Sequence, residues 1–315
     1  DQTLGQGEGV VFQAGGVFAD QQHVAVGGNR YDHHRTVAAG GQAFIDPFGA
    51  VGKAQAQLLD LKQAAAGGWG DLQNFRFSGH TVITLIWLIS RRITSMIDWS
   101  QIDTVLLDMD GTLLDLHFDS HFWLEFLPQH YAQVHAMEPD AARAWLHQRI
   151  IQEQGTLNWY CLDFWSRELG LDIPELKKEV ADRIAFRPHV QDFLAGLRHA
   201  GIRTVIVTNA HYGSLNLKKE RTEIHTLVDE VICSHDFQLP KEDVTFWDKL
   251  HEVEPFDPER TLLVDDSLPV LRSAREYGIR YLLSIYQPDS QAPRREIDEF
   301  SAIDHFDEIM PKKAD

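Results

Sequence analysis

The sequence predicts an α/β protein built on a doubly wound parallel sheet. Short β-branched runs alternate with stretches of helical periodicity over residues 96–315. Polar clusters follow the C-terminal ends of those runs, where parallel sheets bind ligands. A long helical stretch breaks the alternation once, directly after the first run.

Taken in order, Thr104–Leu107 is the first strand and ends in Asp108-Met109-Asp110-Gly111-Thr112. Residues 115–187 form the helical interruption, rich in Trp, Phe and His. Val190–Ala200 has helical periodicity and leads into the second strand, Arg203–Val207, which ends in Thr208-Asn209-Ala210. The third strand, Val231–Cys233, precedes a loop carrying Pro240-Lys241. Val244–Val253 is helical, and the fourth strand, Thr261–Val264, runs into Asp265-Asp266-Ser267. A helix over Leu268–Tyr277 is closed by Gly278, and Tyr281–Ile285 is the fifth strand. Alternation of this kind puts helices on both faces of the sheet. An insertion after the first strand's loop lies over the ligand-binding edge, where it can act as a lid.

Residues 1–95 do not belong to this pattern. They hold 15 of the 22 glycines and equal numbers of basic and acidic residues, so residues 96–315 carry all of the net charge of −18. No methionine precedes Met96. Gly5, Gly7 and Gly9 follow no strand, and His33-His34 has no second ligand cluster at metal-binding spacing. Two readings stand for this stretch: upstream sequence translated from a start site set too early, or a flexible Gly-rich extension. Either way it is expected to be poorly structured and not a folded domain. The expected organisation is a core of residues 96–114 and 188–315, with a helical cap over 115–187.

With 43% hydrophobic and 24% charged residues the chain has a soluble globular composition. Its 29 basic against 47 acidic residues argue against a nucleic-acid polymer as partner, since such binding rests on clustered cations. Two cysteines exclude a disulfide framework and a Cys-rich zinc site, and fit a reducing, cytoplasmic compartment. The longest apolar stretch, Val82–Ile89, holds eight residues, whereas a membrane-spanning helix needs about 20. Arg91-Arg92 follows that stretch rather than preceding it, so no export signal is read. Neither a membrane nor an obligate protein partner is expected.

Asp108-x-Asp110-Gly111-Thr112, Thr208, Lys241 and Asp265-Asp266, in that order, resemble the four motifs of the haloacid dehalogenase (HAD) superfamily of phosphatases. The inserted helical segment resembles that superfamily's C1-type cap. Three further stretches are similar to the bacterial purine 5′-nucleotidases that act on GMP and IMP: Val105 to Leu116, Thr156 to Asp163, and Gly278 to Tyr281 with Pro288-Asp289-Ser290 after it. The resemblance covers roughly residues 99–310. It implies a Rossmann-like core, a phosphoric monoester hydrolase, a Mg²⁺ cofactor and a small phosphate ester, a purine nucleotide, as substrate.

The chemistry suits those residue types. Phosphate monoesters hydrolyse very slowly uncatalysed, so an enzyme must neutralise phosphoryl charge and place a nucleophile. Asp108 is the expected nucleophile, forming an aspartyl-phosphate. Asp110 is the expected acid for the leaving alkoxide and base for the attacking water. Gly111 permits the tight turn that sets both carboxylates around one phosphoryl group. Mg²⁺ favours oxygen ligands, here Asp108, the backbone carbonyl of Asp110, and Asp266, with Asp265 direct or through water. Thr208 and Asn209, with adjacent N–H groups, are expected on phosphoryl oxygens, and Lys241 offsets the charge of phosphate and Asp108. Taken singly, each cluster is more often a turn or a helix cap. Their order at strand ends is what selects catalysis.

Trp159, Tyr160, Phe164 and Trp165 have two readings: their spacing fits one broad helix face as cap core, or one or two of them stack on a purine base. Asn158 is a candidate for reading a base edge. His117, His121, His130, His135 and His147 are expected to be solvated or capping, and Cys161 to be a buried small hydrophobe. Three rivals share parts of the pattern. A haloacid dehalogenase lacks the second aspartate that Asp110 supplies. A sugar-phosphate phosphatase or phosphomutase shares the whole set. A non-catalytic phosphate-binding module has no need to keep all five polar groups.

Overall fold

The computed structural model describes residues 97–311; residues 1–95, expected to be poorly structured, lie outside that range. Six parallel strands form one sheet in the order β3-β2-β1-β4-β5-β6: β1 Thr104–Leu107, β2 Arg203–Thr208, β3 Glu230–Cys233, β4 Thr261–Val264, β5 Tyr281–Ile285 and β6 Ser301–Ile303. In register, Leu107 of β1 lies between Ile206 of β2 and Val264 of β4, so the chain leaves all three strands at the same edge. The five strands predicted from sequence are present. β6 was not foreseen: Ser301-Ala302-Ile303 holds a single β-branched residue.

Side chains alternate between two cores, as period-two strands require. Val105 and Leu107 face one core with Phe193, Leu194 and Leu197 of helix α6 (Val190–Ala200). Leu106 faces the other with Phe246, Trp247 and Leu250 of α8 (Thr245–Val253) and Val270, Leu271 and Ala274 of α9 (Leu268–Tyr277). This two-sided burial is why the strands read as continuous apolar runs.

Between β1 and β2 the chain is helical. It runs α1 (His117–His121), a π-helical turn (Phe122–Phe126), α2 (Leu127–Val134), α3 (Pro139–Ile151), a 3₁₀ turn (Leu157–Tyr160), α4 (Leu162–Leu169) and α5 (Ile173–Lys178). The insertion has its own apolar cluster around Phe118, Phe122, Leu146, Trp165 and Ile173. Leu217, from α7 (Tyr212–Thr222) after β2, joins that cluster. Two crossings connect the insertion to the sheet and run side by side. Arg187 N–H donates to Leu113 O at 3.0 Å, and Asp115 N–H to Ala185 O at 2.9 Å. The loop over residues 287–290 holds both crossings. Leu116 N–H donates to Pro288 O at 3.0 Å, Ser290 N–H to Asp115 Oδ1 at 3.0 Å, and Arg187 Nη1 to the carbonyls of Gln287 and Pro288.

One expected grouping is corrected. Trp159 and Tyr160 lie in the 3₁₀ turn, whereas Phe164 and Trp165 lie in α4. Cys161 between them is extended (φ −82°, ψ 106°), so the four aromatics share no single helix face. Cys161 is half-buried rather than buried. Its Sγ accepts the Phe164 N–H at 3.4 Å and caps α4.

Candidate active site

Asp108 is the first residue past β1, its N–H donating to Val264 O at 3.0 Å, so the carboxylate emerges at the strand-end edge. The chain then turns: Leu113 and Leu114 N–H both donate to Met109 O, at 3.0 and 2.8 Å. Gly111 has φ +85°, and a Cβ there would come within 2.9 Å of Asp266 Cγ and 3.0 Å of Pro288 Cβ. Only glycine satisfies both the left-handed backbone and the close approach. Thr112 Oγ1 accepts the Asp266 N–H at 3.1 Å, tying this turn to the one after β4.

Lys241 organises the centre. Its Nζ donates to Asp108 Oδ1 at 2.6 Å, Asp265 Oδ2 at 2.7 Å and Val207 O at 3.0 Å. Burial opposes its charge, but Asp108 and Asp265 hold its pKa above the ordinary lysine range. Asp265 is committed twice, since its Oδ1 also accepts the Ser267 N–H at 2.9 Å. Asp266 is different. It is fully buried, and neither carboxylate oxygen has a hydrogen-bond partner among the described residues. Asp108 Oδ2 likewise has none. Burial lifts the Asp108 carboxyl to about 6 against the pull of Lys241, and pushes Asp266 well above the carboxylate range. Asp108, Asp265 and Asp266 each bring a carboxylate oxygen within 4.8 Å of the other two.

Thr208 ends β2, almost wholly buried, and its Oγ1 accepts the Ala210 N–H at 3.0 Å. The Asn209 side chain braces the loop that carries Lys241. Its Oδ1 accepts the Lys241 N–H at 3.0 Å, and its Nδ2 donates to Glu242 Oε2 at 2.9 Å. Glu242 Oε1 in turn accepts the Tyr160 hydroxyl at 2.6 Å, joining the insertion to the core across the site.

A chain of buried charges continues from Asp110, and no sequence signal pointed to it. Lys218 of α7 places Nζ 2.7 Å from Asp110 Oδ1 and 2.7 Å from Asp119 Oδ2. Asp119 of α1 also accepts from Lys177 Nζ of α5 at 2.6 Å. Lys177 sits 4.7 Å from the ring centroids of both Phe118 and Phe122. Burial raises Asp110 to about 6 despite Lys218, whereas Lys177 and Lys218 together overcome burial and hold Asp119 down to about 2.

A cavity of about 70 Å³ lies between Asp108, Asp110 and Thr208 on one side and Trp159, Tyr160 and Trp165 on the other. The five histidines singled out from sequence do not line it; His211 does. Asn158 does not line it either, and its amide donates to Glu153 Oε2 at 3.1 Å. Trp165 is fully buried and donates its indole N–H to Trp159 O at 3.0 Å, so it is packing rather than an open stacking platform.

A family description, haloacid dehalogenase-like hydrolase, matches residues 102–278. The chain belongs to the haloacid dehalogenase-like hydrolases. It is 38% identical over 215 residues to the GMP/IMP nucleotidase YrfG of Escherichia coli (strain K12), covering 68% of this chain and 97% of that protein. The protein of the same name from Shigella flexneri matches to the same extent. A crystal structure of a HAD phosphatase from Thermococcus onnurineus superposes with a TM-score of 0.55 at 21% identity, over 64% of this chain and 93% of the other, which shows the shared fold. Among the described residues no helix is long and apolar enough to cross a membrane.

Proposed function

We propose that this hydrolase is a Mg²⁺-dependent phosphomonoesterase acting on purine nucleoside 5′-monophosphates, with residues 115–187 as its cap and the remainder from residue 96 as its core. The observation that carries the chemistry is the pairing at Asp108. One oxygen is held by Lys241 at 2.6 Å, while the other, with both oxygens of Asp266, has no hydrogen-bond partner among the described residues. Buried carboxylate oxygens without a hydrogen bond are costly unless a cation meets them closely, and Arg295 Nη2 stands 4.0 Å from Asp266 Oδ2. Asp108 and Asp266, with the Asp110 carbonyl, fit an oxygen-preferring divalent cation, and Asp265, already committed twice, fits a place behind them. Such a cation supplies charge neutralisation at the phosphoryl oxygens.

The chain's own groups then divide the work. An Asp108 carboxylate oxygen forms a bond to phosphorus as the ester P–O bond breaks. Asp110 gives its proton to the departing alkoxide oxygen, then takes a proton from the water that attacks phosphorus and releases Asp108. Lys241 restrains the negative charge that gathers around Asp108, and Thr208 and the N–H groups after β2 support phosphoryl oxygens. The choice of nucleotide rests on the likeness to the GMP/IMP nucleotidases over nearly their whole length, with Trp159 and Tyr160 supplying an aromatic wall. A cavity of about 70 Å³ is far below the roughly 300–1,000 Å³ of ligand pockets, so a nucleotide enters only as the cap swings away. Two free thiols suit the reducing cytoplasm that goes with this reading.

Phosphate release from GMP, IMP, AMP, UMP, phosphoglycolate and hexose phosphates, with and without Mg²⁺, tests it. Preference for GMP and IMP is expected. Preference for hexose phosphates would remove the purine assignment, and turnover indifferent to chelation would remove the metal.

A further inference from the structure

A second cluster of donor groups lies where the insertion meets the core, and the reaction above makes no use of it. Cys161, His211 and His235 each bring one donor atom within 4.8 Å of the other two, and all three are half-buried. They come from three places in the chain: the N-cap of α4 in the insertion, the N-cap of α7, and the 3₁₀ turn Ser234–Asp236 after β3. From these we infer a site for a thiolate- and imidazole-preferring divalent cation, Zn²⁺ by its chemistry, that fastens the insertion to the core.

The surroundings of the two imidazoles support it. Metal-binding histidines direct their outer ring N–H at a carbonyl or carboxylate, which fixes the tautomer. His235 Nε2 lies 3.2 Å from Asn209 O, an atom that can only accept, so Nδ1 keeps the lone pair. His211 Nε2 faces Asp163 Oδ2 at 3.7 Å, and its Nδ1 meets the Gly213 N–H at a long 3.4 Å, a contact that a cation displaces. The ring centroids are 5.0 Å apart and the planes nearly perpendicular. One sulfur and two nitrogen donors match tetrahedral Zn²⁺, whose fourth position water takes, and are foreign to Mg²⁺. On binding, the Cys161 thiol releases its proton to solvent and the sulfur bonds the metal.

Bonds of about 2.0–2.3 Å to zinc place tetrahedral ligands roughly 3.5 Å apart. A cation bonded to all three therefore ties Cys161 of the cap to the two histidines of the core. Because the cap must swing for a nucleotide to enter, a cation here slows turnover without touching the carboxylate centre.

The test uses the full chain, stripped of metal, held in excess Mg²⁺ and titrated with Co²⁺ as a coloured surrogate. The expected result is a thiolate-to-cobalt charge-transfer band that saturates at one equivalent and is bleached by Zn²⁺. It should vanish in Cys161→Ser, whose hydroxyl can still cap α4, and require ~10–100-fold more Co²⁺ in the exposed variant Asp163→Asn. In parallel, Zn²⁺ should inhibit Mg²⁺-supported hydrolysis of p-nitrophenyl phosphate by the parent at concentrations that spare Cys161→Ser. Absence of the band, or its survival in Cys161→Ser, overturns the site. Equal inhibition of parent and variant overturns the fastening role, because Zn²⁺ would then be acting at the carboxylates. Failure of the phosphatase reading is distinct: it appears as no turnover before any Zn²⁺ is added.

Discussion

Replacing Lys218 with methionine removes the one ammonium among the described residues that touches Asp110. Lys218 is 2% exposed in its side chain and lies 2.7 Å from Asp110 and 2.7 Å from Asp119. Breaking a buried ion pair by deleting one partner costs roughly 3–5 kcal/mol. Asp119 keeps Lys177 at 2.6 Å, so most of the loss falls on Asp110. At ~1.4 kcal/mol per pKa unit, a penalty of ~3 kcal/mol lifts Asp110 by about two units, from its starting value of about 6. The deprotonated fraction at pH 7 then drops from about nine tenths to about one tenth. In the proposed reaction Asp110 is the base that releases Asp108, so that step should slow ~10-fold at pH 7 and recover on the alkaline side. The assay is the pH profile of kcat with saturating Mg²⁺ and substrate, with a thermal melt to show the variant is folded. A uniform loss across pH, or an acid limb unmoved from the parent's, would refute the assignment of Lys218 as the group that sets Asp110.

Other outcomes follow from the same geometry. Asp108→Asn should abolish turnover while leaving a cooperative melt, because Lys241 retains Asp265; measurable multiple turnover by the purified variant counts against Asp108 as nucleophile. Gly111→Ala forces a Cβ to 2.9 Å from Asp266 in a left-handed backbone and should cost ~1–3 kcal/mol of stability, so an unchanged denaturant midpoint would contradict the packing described. In the metal-free protein, burial raises Asp108 and Asp110 to about 6 from 3.8. Their contribution to stability is therefore complete below pH 3.8 and is lost as pH rises through about 6. In the proposed site Mg²⁺ meets the Asp108 carboxylate when it is ionised, so its stabilisation in a thermal melt should be larger at pH 7.5 than at pH 5; equal shifts at both would argue against carboxylate ligation.

Much of the site was legible in sequence because the fold brings strand ends together by topology. Asp108 and Lys241 are 133 residues apart, yet both follow strands of one parallel sheet, and strand order alone sends them to the same edge. The charge chain from Asp110 was not legible, since its pairings depend on how helices of the insertion face α7. Lys218 stands beside Lys219, and a Lys-Lys pair reads as a solvated face, whereas Lys218 is buried and only its neighbour meets solvent. Asp119 hides in the same way between Phe118 and Ser120, all three buried. The aromatic group was misjudged because the break at Cys161 carries neither glycine nor proline, and its extended backbone is that of the N-cap of α4.

The paired crossings at 113–116 and 184–187 have a consequence for protein engineering. Exchanging the insertion between relatives looks like a two-cut graft, one cut in each crossing. The loop over residues 287–290, far away in the chain, grips both crossings through Pro288, Ser290 and the carbonyls that Arg187 reaches. It belongs to the joint as much as the crossings do. A graft that leaves this collar behind would inherit the shape of the donor's lid but the recipient's hinge stiffness, and its opening rate would follow the loop rather than the transplanted helices.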